Sequence, residues 1–209
     1  MVQGGNENLL RGINFAALVM EGVELETVQA ATRAVEEWGA TMQLVSAANG
    51  EIKGAVSEQA AQAAKTESVK VQLSFEEADP KEFSAVLIPG GQSQAGLLRQ
   101  HPAARQFIAE IMHDEKPVAA CGEGLGLLID AGLLTGRTVA GPAGLKNDLI
   151  QAGANWSDKS VEVDGLLITC AGLEQLDEFI PAMLAVTGNH VRQNVKGTPD
   201  EKTVVGPSS

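Results

Sequence analysis

The chain has 209 residues, of which 44% are hydrophobic, with five Phe, two Trp and no Tyr; that is enough for one domain whose core is packed from Val, Leu, Ile and Ala, as buried parallel strands require. A formal net charge of −12 repels phosphate backbones and anionic lipid, and no basic stripe, membrane-length apolar run or charged-then-apolar leader is present, so no nucleic-acid or membrane partner and a cytoplasmic location are expected. Two cysteines and three scattered histidines supply neither a disulfide framework nor a metal-ligand spacing, so no metal and no cofactor are expected.

Residues 1–12 are rich in Gly, Asn and Glu and read as a tail. The apolar run 13–19 predicts a buried first strand, and Val28, Ala31, Val35 and Trp38 then fall at helical spacing up to Gly39. A second short strand is predicted at 42–45. The Ala/Gln-rich part of 48–65 predicts an inserted helix, and Val69, Val71 and Leu73 alternate with polar residues as one half-buried strand would.

Residues 85–88 predict a buried strand ending at Pro89-Gly90-Gly91, followed by a helix marked by Ala104, Phe107, Ile108 and Ile111. Strand 117–121, the turn 122–124 and a short helix 125–130 come next. A strand at 138–140, a helix at 145–152 and a hairpin around Asp164-Gly165 follow. The last helix carries Leu176, Phe179, Ile180 and Met183 and is expected to kink or restart at Pro181. Residues 188–209 lack periodicity and read as a second tail, which leaves 13–187 as the domain. Alternating strands and helices predict an α/β three-layer sandwich, with a mostly parallel sheet covered by helices on both faces.

In such sheets ligands sit beyond the carboxyl ends of the strands. That rule selects Glu21, Gly90 and Gly91, the turn Cys121 to Gly124, and Gly141-Pro142. A sharp strand-to-helix turn can hold a nucleophile in a strained conformation beside backbone N–H groups, and a helix N-terminus lowers a thiol pKa. Val118-Ala119-Ala120-Cys121-Gly122-Glu123-Gly124 has the small residues such a turn needs. Read as structure alone, Cys121 is a small buried hydrophobe, and Glu21 and Glu123 are acids at helix N-termini.

The segments SVKVQLSFEEADPKEFSAVLIPGG, KPVAACGEGLGLLIDAGLLTGR and GLKNDLIQAGANW resemble the ThiJ/PfpI family of the class I glutamine-amidotransferase-like superfamily. The resemblance runs from about residue 15 to residue 186. It implies a flavodoxin-like fold, a homodimer or larger homo-oligomer, and a role among cysteine peptidases, glyoxalases or deglycases, chaperones and stress-response proteins. It also implies a site made of an elbow cysteine with a neighbouring histidine, a glutamate after the first strand, matched here by Glu21, and an oxyanion-hole glycine, matched by Gly91.

The elbow departs from that pattern. Ungapped counting places Gly122 where the family has its cysteine and Glu123 where it has the histidine, so Cys121 falls one residue early and, on a strand, on the opposite face. The C-terminal domain of large-subunit catalases, a relative without the nucleophile, similarly carries a glycine followed by an acid. A glycine suits the positive φ that an elbow demands. The expectation is therefore a binding, chaperone-like or stress-response protein that has lost the cysteine chemistry and keeps a small-molecule pocket at the elbow. The alternative is a cysteine-dependent hydrolase or glyoxalase/deglycase using Cys121 with Glu21, and a third reading makes Glu21 and Glu123 a carboxylate pair for acid/base chemistry.

Overall fold

The computed structural model describes residues 10–55 and 68–196. Its first units are β1 (Asn14–Leu18), a short β2 (Val23–Glu24), α1 (Leu25–Glu37) and β3 (Thr41–Ser46). A hairpin of β4 (Gly50–Ala55) and β5 (Ser68–Val71) precedes β6 (Leu73–Ser74). Then come β7 (Ala85–Ile88), α2 (Gln92–Gln100), α3 (Pro102–His113), β8 (Val118–Cys121) and α4 (Leu125–Asp130). The chain continues through β9 (Thr138–Val139), α5 (Lys146–Gln151) and β10 (Asn155–Trp156), and closes with β11 (Val161–Asp164), β12 (Leu167–Cys170) and α6 (Leu176–Lys196).

Seven strands form the main sheet in the order β11-β12-β8-β7-β1-β3-β6. All its pairings are parallel except β11 with β12, which is the antiparallel hairpin read from Asp164-Gly165. The strand period of two splits the core between the two faces of the sheet. Ala16, Leu18, Val86, Ile88, Val118 and Ala120 pack toward α3 and α4, with Phe107, Ile108, Leu127 and Leu128. Phe15, Ala17, Leu87, Ala119, Cys121 and Ile168 pack toward α1 and α6, with Val28, Ala31, Val35, Phe179 and Met183. The α/β flavodoxin-like sandwich expected from the sequence is the observed fold.

Three local readings differ from the structure. Val69, Val71 and Leu73 belong to two strands, because Gln72 intervenes: its backbone N–H donates to the Leu44 carbonyl and its side-chain oxygen accepts the Leu44 N–H, ending β5 and starting β6 at the edge of the main sheet. Pro181 does not restart the last helix. It lies near the start of a helix that continues to Lys196, past residue 188, where the sequence loses its period. The helix predicted in the Ala/Gln-rich stretch falls mostly on 56–67, outside the described residues, while its flank forms β4. Among the described residues no helix is long and apolar enough to cross a membrane.

Candidate functional site

The elbow is built by the change from β8 to the turn at Gly122–Gly124. Cys121 is the last extended residue, and Gly122 turns the chain at φ +56°. Gly124 then lets the turn press on β7: a carbon at its Cβ position would stand 2.6 Å from the Pro89 carbonyl oxygen and 2.7 Å from that of Ile88. Gly122 differs, since a Cβ there would meet only the Ala171 oxygen at 3.6 Å, the Gly90 Cα at 3.7 Å and the Gly172 Cα at 3.9 Å, ordinary contact distances. Gly122 thus turns the chain through a positive φ with room beside it for a side chain.

Cys121 follows the alternation of its strand. Its side chain is fully buried in the α1 and α6 half of the core, while its neighbour Ala120 faces the other half. Cys121 stands in register with Cys170 on β12, and that thiol, together with burial and the nearby Glu24 carboxyl, pushes the Cys121 thiol well above its ordinary range. Thr27 alone works the other way. Buried and protonated, the sulfur has the properties of an inert packing group. Both cysteines are free thiols.

Glu21 is not the carboxylate beside the elbow. It is exposed after β1, where one carboxylate oxygen accepts the Lys53 backbone N–H at 3.0 Å. Three residues on, Glu24 ends β2 at the N-cap of α1, and its backbone N–H donates to the Gly90 carbonyl at 3.0 Å. That bond draws the β1–α1 connection over the β7 turn and lays the Glu24 carboxyl directly on the Gly90 Cα. Thr27, fully buried, donates its hydroxyl to Glu24 at 3.3 Å. Burial raises the Glu24 pKa and the charge of Glu123 raises it further, against the opposing Thr27 hydrogen bond.

The acidic pair at the elbow is therefore Glu24 with Glu123. The sequence carries the signal for Glu24, one helical turn before the buried Val28, but choosing between Glu21 and Glu24 depends on the two-residue strand β2, which pairs with β4. No apolar run announces so short an element.

Gly91 adopts φ +122° at the N-cap of α2, and a side chain there would collide with the Gly22 carbonyl, so glycine is required for the close approach of the two loops. Gln94 locks the same junction from below, accepting the Met20 N–H at 2.9 Å and donating to the Pro89 carbonyl at 2.7 Å. The loops that meet around Gly122 thus follow β1, β7 and β12. Gly141, from the fourth loop selected by topology, instead packs against Leu125, Leu149 and Trp156. Among the described residues no cluster of His, Cys, Asp and Glu is assembled to hold a metal ion.

Comparison with known proteins agrees with this architecture. The profile of the DJ-1/PfpI family matches residues 15–186. The chain is 40% identical over 98 residues to the protein named Deglycase PfpI of Pyrococcus furiosus, an alignment spanning 47% of this chain and 58% of that protein. Among solved structures, a two-domain protein of Anabaena variabilis containing DJ-1/ThiJ/PfpI-like and ferritin-like domains superposes with a TM-score of 0.76 at 28% identity, over 93% of this chain and 52% of the other. A ThiJ/PfpI domain protein of Brachyspira murdochii superposes with the same TM-score of 0.76 at 20% identity, over 86% and 98% of the two chains, and shares the fold. The profile spans the elements that build the elbow, and the chain belongs to the DJ-1/PfpI family.

Proposed function

We propose that this DJ-1/PfpI protein acts as a homodimeric binding or chaperone-like module, of the stress-response kind, that holds a small ligand at the elbow without a cysteine nucleophile. The observation that carries the proposal is the exchange of roles at the elbow: Gly122 takes the strained, sterically open position, and Cys121 is buried on the opposite face with its thiol proton held. A covalent thiol mechanism needs an accessible thiolate. The reading is tested by assaying peptidase, methylglyoxal-consuming and deglycase turnover in the native protein and in Cys121→Ser. Turnover abolished by that substitution defeats it. In the reciprocal experiment Gly122→Cys should gain a site-directed thiol that reacts with iodoacetamide in the folded protein, while Cys121 stays protected until denaturation. Light scattering tests the homodimer, which requires twice the chain mass.

A second reading is favoured by the raised pKa of Glu24 beside Glu123. In it a carboxyl that keeps its proton to higher pH than an ordinary glutamate donates to a carbonyl oxygen at the elbow, and the chain is an acid/base catalyst. Glu24→Gln would then abolish turnover that Cys121→Ala leaves intact.

A further inference from the structure

We infer that a cavity of about 430 Å³ between the loop after β1, the loop after β3 and the junction of α2 with α3 binds a small organic cation, an ammonium carried on an apolar stem. The chain runs outward from β1 to β3 and β6 and returns to β7 on the other side of β1. The connections after β1 and β3 therefore part from the helix after β7, the crevice in which open α/β sheets place ligands.

The lining has the chemistry of a cation site. Met20, Ile52, Leu97 and Pro102 supply an apolar wall, and Leu97 at the rim is 45% exposed, as few large aliphatic residues among the described ones are. Among the described residues the formally charged side chains in the lining are Glu21 and Glu51, with no lysine or arginine. Glu21 gives one oxygen to the Lys53 N–H. Its second oxygen and the Glu51 carboxylate remain to meet an ammonium, in a molecule whose net charge of −12 already draws cations toward it. His101 lines the same cavity with its ring 5.0 Å from that of Phe75, and its Nδ1 is buried without a hydrogen-bond partner. Such an unmet group is rare in native proteins and is retained where a ligand or bound water completes a site. The cavity is separate from the Gly122 turn, so the inference does not depend on what the elbow does.

Three isosteric probes test it by titration calorimetry and amide NMR: 2-phenylethylamine, 2-phenylethanol and phenylacetate. The amine should bind at least about tenfold more tightly than the alcohol, phenylacetate should bind least, and the amide shifts should centre on Ile52, Leu97 and His101. The double variant Glu21→Gln/Glu51→Gln should lose the preference for the amine, whereas Leu97→Ala should weaken amine and alcohol alike. Equal binding of phenylacetate, survival of the amine preference in the double variant, shifts centred on Gly122, or no amine binding at millimolar concentration would each overturn the assignment.

Discussion

Glu24, not the exposed Glu21, lays its carboxyl against the β7 turn. The carboxyl is half-buried against Gly90, with Glu123 nearby, and its folded pKa is raised. An acid whose folded pKa exceeds its unfolded value stabilises the protein fully below the unfolded value, and that contribution is lost as pH rises through the folded one. Glu24→Gln keeps an acceptor for Thr27 and removes the charge. Melting curves should therefore coincide for the two proteins at acid pH, below the ordinary glutamate range, and separate at neutral pH with the variant melting higher. A variant that melts lower at neutral pH would mean that the carboxylate is stabilised by a partner. The face that Cys121 buries was legible in the sequence, because the alternation of a strand assigns its faces.

At the level of elements, the strands of the main sheet other than β6 were legible from apolar runs, since buried parallel strands carry no competing polar pattern, whereas the helix α2 was not read. The β4–β5 hairpin was not. Gly50–Ala55 holds a single buried aliphatic residue, Ile52, and two glycines, so its strand character comes from pairing with β5 and β2. Placement of β2 over the β7 turn is what brings the Glu24 carboxyl against Gly90, so the missed hairpin also hides that contact.

The fit of elbow against β7 yields a prediction at the same scale. At Gly124 a methyl group would press on two backbone carbonyls, neither of which can rotate away. Gly124→Ala should cost about 2–3 kcal/mol in denaturant unfolding. Gly144→Ala, where a Cβ meets nothing within 4 Å, should stay within about 0.5 kcal/mol. Equal effects would mean that the elbow is not clamped against β7.

Across the whole molecule, one sheet serves two half-cores, and β1, β3, β7, β8 and β12 contribute residues to both. Neither layer of helices can leave without exposing strands that the opposite layer depends on, so the two halves should unfold together. The two tryptophans happen to report one half each: Trp38 packs on the α1 and α6 side, and Trp156 on the α3 and α4 side. In Trp156→Phe and Trp38→Phe proteins, the remaining tryptophan should therefore show the same denaturant midpoint. Phe179, fully buried on α6 and remote in the layering from Trp156, supplies the decisive perturbation. Phe179→Ala should destabilise by about 3–5 kcal/mol, the range for emptying a buried aromatic site, and should move both fluorescence transitions equally. If only the Trp38 signal shifts, the sheet insulates its two faces and the molecule unfolds in two steps. A common shift would also mean that a ligand held at the elbow, where loops from β1, β7 and β12 meet at the end of that shared sheet, stabilises both halves at once.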